Sequence, residues 1–275
     1  MSKLKKIIKK TLRINSDHKL SPLKNIVQVG SKFHGYYVPE NFLNQSSICY
    51  CIGAGEDISF DTELVVRYGC RAIIFDPMPE GKNHYDKLVA NTLSNKKMAT
   101  NNDESGFEYR INSEQLKRTT FLNIGVWDKK EVIKFYKPAK EDYASHSVVN
   151  LQKTDDFIEA QVDRLSNIMK DLNHNCVDLV KMEIEGAEYK VIDTILEDKL
   201  NVKMILVEFD EVHFKKGLGY LMRIKKSSDK IIKAGYKMVH STHMYKRTFV
   251  RNDVYEQLKK LENNIATTNK ELVEV

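Results

Sequence analysis

Three charged residues alternate with apolar ones in the stretch VDLVKMEIEGAE. Lys181, Glu183 and Glu185 have the spacing that directs alternate side chains to one face of a strand. Charges on a buried strand are costly unless they are paired or functional. Gly186 permits a turn at the carboxyl end of that strand, which is the edge where open α/β sheets bind ligands. Carboxylates at that edge could act as a general base or position an acceptor hydroxyl.

A structural role for the same residues is the alternative. Lys181 and Glu183 would then neutralise each other, and Glu188 would stabilise the N-terminus of the next helix. For the cluster as a whole we favour a function, because several acids converge where the sheet would hold a ligand.

A second candidate site is the glycine turn in CIGAGEDISF. Gly53 and Gly55 separate an apolar run from a helical pattern, so backbone N–H groups and a helix N-terminus can face a ligand there. Ile58 replaces the third glycine of the dinucleotide fingerprint, and the G-K-[ST] of a P-loop is absent. Asp76, after the next strand, is spaced to bind a ribose diol. This combination predicts S-adenosylmethionine, which carries no phosphate; a purely structural tight turn is the alternative.

The elements around these sites are strands alternating with amphipathic helices, the pattern of a parallel sheet covered by helices. Helices are expected over residues 59–68, ended by Gly69, and over residues 79–93 from Pro79. TTFLNIGVWD is expected to continue the sheet as a strand. KMVHST and RTFVRN favour an antiparallel pair at the sheet edge.

Length and composition predict one substantial core with extensions. We divide the chain into a basic helix and lead-in (residues 1–36), a main domain (37–252) and a C-terminal helix or tail (253–275). The basic N-terminal segment could make a peripheral membrane or partner contact, or could simply be solvated. It lacks the apolar segment of a signal peptide, and no apolar stretch reaches about 18 residues. The four cysteines lack zinc or disulfide spacing, so we expect a cytoplasmic protein with reduced thiols.

Taken in order, these motifs resemble those of the FkbM-type S-adenosylmethionine-dependent methyltransferases. CIGAGEDISF matches the cofactor turn, IIFDPMP the strand with its acid, FLNIGVWD the third strand, and VDLVKMEIEGAE the lysine-x-acid-x-Glu-Gly-x-Glu signature. The resemblance implies a Rossmann-like class I methyltransferase fold of the α/β class, with a mostly parallel, doubly wound sheet and an antiparallel edge strand. The sequence departs from the family pattern at three points: Cys51 stands where an acid is commoner, Gly55 and Glu56 follow Ala54 where Gly-Ala-Asn is commoner, and Glu183 stands where Asp is usual.

Site residues also follow from the resemblance. It implies cofactor contacts from Gly53, Gly55 and Asp57 on the methionine and ribose side, from Asp76 at the ribose, and from Asn123 and Gly125 near the adenine.

The chemistry itself requires a base. Methyl transfer to a hydroxyl requires alignment of the oxygen and removal of its proton, for which Glu183, Glu185 and His213 are the candidates. His146 lies in a stretch that could cover the acceptor, although a structural role is the alternative.

We therefore expect an O-methyltransferase that acts on a hydroxyl of a saccharide, glycan or related metabolite. A nucleic-acid methyltransferase is one alternative, supported by the net charge of +6 but lacking an Asn/Asp-Pro-Pro-aromatic motif. A catalytically silent, cofactor-binding partner protein is another. The carboxylates could also hold a divalent cation that polarises a sugar diol, an option that we do not favour.

Overall fold

The computed structural model describes residues 19–100, 106–137, 148, 154–210, 219–242 and 245–273, without the side chains of 266–273. The predicted basic helix at the N-terminus and the candidate residues His146 and His213 lie outside the described residues. No helix in the described ranges has the length and apolar character needed to cross a membrane.

The described strands fall into three sheets. In chain order they are β1 (Ile26–Val29), β2 (Tyr36–Pro39), β3 (Ile48–Ile52), β4 (Arg71–Phe75), β5 (Thr119–Leu122), β6 (Gly125–Trp127), β7 (Glu131–Tyr136), β8 (Phe157–Arg164), β9 (Val177–Met182), β10 (Val202–Glu208), β11 (Tyr236–Thr242) and β12 (Lys246–Arg251). The described helices are α1 (Ser59–Tyr68), α2 (Pro79–Leu93), α3 (Ser113–Leu116), α4 (Leu165–Asp171), α5 (Glu188–Glu197), α6 (Gly219–Lys233) and α7 (Asn252–Val273).

The central sheet has seven strands in the order β11-β12-β10-β9-β3-β4-β5. Five neighbouring strands run parallel to one another, namely β10, β9, β3, β4 and β5. Strand β12 is antiparallel to both of its neighbours, β10 and β11. The chain enters the sheet at β3, builds outward to β5, and then returns to β9 on the other side of β3. This reversal creates a switch point between β3 and β9, where doubly wound sheets bind ligands. The α/β fold with a mostly parallel sheet is confirmed, and the antiparallel strand lies one position in from the edge.

An apolar core covers each face of this sheet. On one face α1, α2 and α7 pack against strand residues that include Cys49 and Cys51. On the other face α4, α5 and α6 pack against Tyr50 and Ile52. The alternation of these neighbours on β3 explains why the strand is apolar throughout, as expected for a strand buried on both faces.

The predicted helices begin and end where the sequence indicated. Helix α1 spans the expected residues, and Gly69 ends it in the left-handed conformation with φ of 66°. Helix α2 begins at Pro79. Proline suits the first position of a helix because the backbone N–H that it lacks would have no partner within the helix there.

The stretch TTFLNIGVWD is not one strand, contrary to the sequence prediction. A tight turn separates β5 from β6, with the N–H of Ile124 donating to the carbonyl of Leu122 at 2.9 Å. Strand β6 therefore leaves the central sheet and pairs with β8 in a small sheet of order β6-β8-β7. Because of this turn, Gly125 lies outside the central sheet, near the carboxyl ends of its parallel strands.

The lead-in before β3 forms a hairpin that the sequence analysis missed. Strands β1 and β2 pair in antiparallel register from Ile26 opposite Pro39 to Val29 opposite Tyr36. The domain boundary proposed at residue 37 falls inside β2. The hydroxyl of Thr248 on β12 donates to the carbonyl of Tyr37 at 2.8 Å, so the hairpin is fastened to the central sheet.

Candidate active site

A cavity of about 400 Å³ lies at the carboxyl ends of β3, β4 and β9. Its walls comprise the turn after β3, the segment after β4, β6, and the turn after β9. The volume lies within the range of small-molecule sites, and the position is the switch point of the sheet. This cavity is the candidate active site.

The glycine turn forms one wall of the cavity. Gly53 has φ of 88°, and a Cβ built there would lie 2.0 Å from the carbonyl oxygen of Glu183. Gly55 has φ of 51°, but a Cβ there would meet no atom within 4 Å. Glycine is therefore required at position 53 by close backbone approach, and at position 55 by conformation alone.

Asp76 holds this turn in shape. One carboxylate oxygen accepts the N–H groups of Ala54 and Gly55, each at 2.9 Å, and the other accepts the N–H of Met78 at 2.8 Å. Burial raises the pKa of Asp76, while these backbone hydrogen bonds oppose the rise. A carboxylate has about four acceptor positions, so three are already used. Asp76 can accept one further hydrogen bond from a ligand in the cavity.

Glu80, in the first turn of α2, was missed in the sequence analysis and also lines the cavity. Its Oε2 atom is buried and has no hydrogen-bond partner within the described part of the chain. A buried carboxylate oxygen without a donor is costly, so this oxygen is suited to accept a hydrogen bond from a bound molecule. Its position, at the second residue of α2 and four residues after Asp76, could have indicated that role.

The other predicted cofactor residues are divided by the structure. Asp57 lines the cavity, and its carboxylate accepts the Ser59 N–H at 2.8 Å and the Ser31 hydroxyl at 3.0 Å. Gly125 lines the opposite wall. Asn123 is exposed in the turn between β5 and β6 and is not among the lining residues. A contact from Asn123 to the adenine stays a prediction that this geometry does not favour.

Lys181, Glu183 and Glu185 do not share one strand face, which corrects the sequence prediction. Strand β9 ends at Met182, and Glu183 and Glu185 lie in the turn that follows. Glu188 holds that turn, because one of its carboxylate oxygens accepts the N–H groups of Ile184 at 2.9 Å and Gly186 at 3.1 Å. All three predicted residues nevertheless line the cavity.

Lys181 links the glycine turn to this acidic turn. Its ammonium donates to the carbonyl of Gly53 at 2.6 Å and lies 3.8 Å from the carboxylate of Glu183. Burial acts to lower the pKa of Lys181, but Glu183 and the buried Asp61 outweigh it and raise the pKa. The lysine is therefore charged and serves as the local counter-ion.

Glu183 receives two further groups from the β1–β2 hairpin. The hydroxyl of Tyr36 donates to Oε2 at 2.9 Å, and Nδ1 of His34 lies 3.4 Å from Oε1. Burial acts to raise the pKa of Glu183, but Lys181, His34 and Lys246 outweigh it and hold the pKa well below the ordinary value. Glu183 is therefore ionised at neutral pH and is a weak base by itself.

Sequence reasoning missed His34 and Tyr36 because it assigned no strand to the lead-in. The signal was present: IVQV and YYVP are strand-like runs separated by a segment that begins and ends with glycine, Gly30 and Gly35. Sequence reasoning also missed Lys246. Its ammonium lies 2.6 Å from the carboxylate of Glu208 and 4.3 Å from the ring centre of Tyr36.

Three carboxylates, those of Glu183, Glu208 and Asp210, have oxygens within 4.8 Å of one another. Such a group could hold a cation. Here, however, the ammonium of Lys246 contacts Glu208. The hydroxyl of Tyr36 donates a hydrogen bond to Glu183, and the ammonium of Lys181 forms an ion pair with it. The protein's own ammonium groups already balance much of this negative charge.

Behind the cavity, Glu188 and Asp210 form a buried acidic pair. Glu188 is fully buried, and burial raises its pKa to about 8. Burial and the neighbouring Glu188 also raise the pKa of Asp210, which accepts the N–H of Glu185 at 3.2 Å. The pair therefore retains a proton near neutral pH, which limits the negative charge behind the acidic turn.

Comparison with known proteins completes the description of the site. No curated protein matches the chain. A fibrillarin pre-rRNA processing protein from Methanococcus jannaschii has a TM-score of 0.39 and 10% identity, with 86% of this chain and 85% of that chain covered. TYW2 from M. jannaschii, in complex with AdoMet, has a TM-score of 0.31 and 10% identity, covering 85% and 90%. The model of the methyltransferase FkbM domain matches residues 48–238. This match spans well over half of the sequence, and the chain belongs to the FkbM family of S-adenosylmethionine-dependent methyltransferases.

Proposed function

We propose that this protein is an O-methyltransferase that transfers the methyl group of S-adenosylmethionine to a hydroxyl of a saccharide, glycan or related metabolite. One observation carries the proposal. A single cavity is lined by the glycine turn expected to hold the cofactor and, next to it, by the ionised Glu183 with His34, while the hydroxyl of Tyr36 donates to Glu183. Donor and acceptor sites must adjoin in this way for in-line transfer.

The charge of the cavity supports the cofactor. Among the described residues, one lysine, Lys181, lines it together with six acidic residues: Glu56, Asp57, Asp76, Glu80, Glu183 and Glu185. A negative lining attracts the sulfonium and ammonium groups of S-adenosylmethionine. The same lining repels phosphates, so the excess of basic residues elsewhere gives little support to a nucleic-acid acceptor.

The residues divide the work between binding and proton transfer. Asp76 shapes the turn and has one acceptor position left for the ribose, which Glu80 can supplement. Bound S-adenosylmethionine supplies an electrophilic methyl group. Lys181 keeps the turn and Glu183 together, so that a hydroxyl bound near Glu183 is held at a fixed distance from the cofactor side of the cavity.

The proposal also covers location and partners. All four cysteines are free thiols, which supports a cytoplasmic site of action. The partner is a hydroxylated small molecule or glycan, and the basic N-terminal segment is proposed to permit peripheral contact with a membrane.

Calorimetric titration with S-adenosylmethionine and S-adenosylhomocysteine tests the cofactor part. We expect micromolar binding by the wild-type protein and at least tenfold weaker binding by Asp76→Asn, which replaces an acceptor oxygen with a donor facing backbone N–H groups. A folded wild type that binds neither compound would overturn the proposal.

The acceptor part is tested by transfer of labelled methyl groups. The panel contains methyl glycosides of hexoses, deoxyhexoses and uronic acids, with total tRNA assayed in parallel. Methylation of a glycoside supports the proposal. Methylation of tRNA alone would favour a nucleic-acid enzyme, and tight cofactor binding without transfer would favour a silent binding protein.

A further inference from the structure

The tip of the β1–β2 hairpin is fixed at the edge of the cavity by contacts on two sides. On the α1 side, the N–H of Ser31 donates to the Ser59 hydroxyl at 2.8 Å, and the Ser31 hydroxyl donates to Asp57 at 3.0 Å. On the β12 side, the ammonium of Lys246 donates to the carbonyls of Phe33 at 2.9 Å and Gly35 at 3.3 Å. His34 lies between these anchors, so its backbone position is set by the fold.

The ring of His34 has one nitrogen on a carboxylate and one nitrogen free for a ligand. Nδ1 faces Glu183, and no described residue forms a hydrogen bond with Nε2. The side chain is 37% exposed and lines the cavity. The 3.4 Å separation from Glu183 is long for a hydrogen bond, as is common for catalytic pairs before substrate binds. Because Glu183 is ionised, Nδ1 carries the proton and Nε2 is the basic atom.

Burial and the charges around His34 act on its pKa in opposite directions. Its hydrogen bond with Glu183 acts first to raise the pKa, burial and the nearby Lys246 act to lower it, and the charges of Glu183 and Asp57 raise it. The net effect is a raised pKa. Within the pair, Glu183 therefore stays ionised, and His34 is the group that takes up a proton.

We propose that His34 is the general base of the methyl transfer, with Glu183 as the residue that orients it and Tyr36 as the residue that fixes Glu183. This assignment rests on the proposed function. The acceptor oxygen forms a bond with the methyl carbon while the carbon–sulfur bond breaks and its electron pair returns to sulfur. The hydroxyl proton passes to Nε2 of His34, the charge of Glu183 stabilises the resulting imidazolium, and the proton is later released to water.

This assignment differs from the bases suggested by the sequence. Glu183 has a depressed pKa and is a weaker base than the imidazole next to it, whereas a role for Glu185 stays a prediction. His34 also lies outside residues 48–238, the part that matches the family model. The base is thus supplied by the hairpin and not by the family segment.

The first test reads the imidazole directly and needs no acceptor. Nuclear magnetic resonance of protein with labelled histidines, saturated with S-adenosylhomocysteine, gives the pKa and the protonated nitrogen of His34. We expect the pKa of His34 to lie above 6.5, with the proton of the neutral imidazole on Nδ1. We expect a lower pKa of His34 in Glu183→Gln. A pKa at or below 6.5 that Glu183→Gln leaves unchanged would overturn the assignment.

The second test uses turnover of a glycoside acceptor. We expect His34→Ala to bind S-adenosylmethionine normally but to lose about 10²–10⁴-fold in kcat, with partial rescue by added imidazole. His174→Ala is the matched control, because His174 contacts Tyr50 and does not line the cavity; its activity should equal that of the wild type. The acidic limb of the wild-type pH profile should move to lower pH in Glu183→Gln.

The two proposals fail in different ways. A His34→Ala variant with near wild-type kcat on an active glycoside would refute the role of His34 while leaving the proposed function intact. A wild type that is inactive on every glycoside would refute the acceptor class, and the resonance experiment would still judge whether His34 has the properties of a base.

Discussion

The two glycines of the cofactor turn should respond differently to the same substitution. In Gly53→Ala the new Cβ would lie 2.0 Å from the carbonyl oxygen of Glu183, so the two backbone segments must separate by about 1 Å to restore a normal contact. Such overpacking costs about 1–3 kcal/mol, and a positive φ adds about 1–2 kcal/mol. The smaller entropy of the unfolded chain returns about 0.4–1 kcal/mol. The net loss is about 1–5 kcal/mol.

Gly55→Ala is the matched control for this calculation. Its φ is also positive, but the Cβ meets no atom, so only the conformational cost applies and the net loss is about 1 kcal/mol. That Cβ would instead project from a residue that lines the cavity, where it should weaken S-adenosylmethionine binding.

Urea unfolding, followed by circular dichroism and by the fluorescence of the single tryptophan, Trp127, measures both losses of stability. Calorimetry measures the affinities. We expect the urea midpoint of Gly53→Ala to lie below that of Gly55→Ala by roughly 0.5–1 M. Equal midpoints for the two variants would refute the inference that the carbonyl of Glu183 requires glycine at position 53.

Three further substitutions test the charged groups. The pKa of Glu188 is about 8 in the folded protein and about 4.3 in the unfolded chain, so the folded protein binds more protons between pH 4.3 and 8, and the free energy of unfolding should fall as the pH rises through that range. Glu188→Gln should make the urea midpoint less dependent on pH in the same range, and an unchanged pH dependence would contradict the assignment. Lys181→Met leaves Glu183 and Asp61 without their buried counter-ion and should lower the free energy of unfolding by about 3–5 kcal/mol, also by urea titration; a loss under about 1 kcal/mol would argue against that role. Glu80→Gln should weaken S-adenosylmethionine binding about tenfold by calorimetry without moving the urea midpoint, and an unchanged affinity would remove Glu80 from the cofactor site.

Much of the fold could be predicted because local signals and tertiary structure agree. The bounds of α1 follow from an apolar pattern ended by Gly69, and those of α2 from Pro79. The break in TTFLNIGVWD could not be predicted, because both halves are apolar and only the pairing of β6 with β8 separates them. The hairpin had a readable pattern, but its importance depends on contacts with β12 that are more than 200 residues away in sequence.

The candidate site shows the same limit. A period of two places Lys181, Glu183 and Glu185 together only if the strand continues, and it ends at Met182 because Glu188 holds the next turn. Spacing revealed which carboxylates meet at the sheet edge. It could not reveal that Glu183 has a depressed pKa, because its partners come from three separate segments of the chain.

The attachment of the hairpin has a consequence for how such enzymes diversify. The cofactor turn and its acidic residues belong to residues 48–238, which match the family model. The proposed base, His34, lies in the β1–β2 hairpin, which precedes those residues in the chain. Under this assignment, a change at residue 34 between relatives would alter the working pH while the residues of the cofactor turn are inherited unchanged. The two halves of the reaction can then evolve at different rates within one cavity.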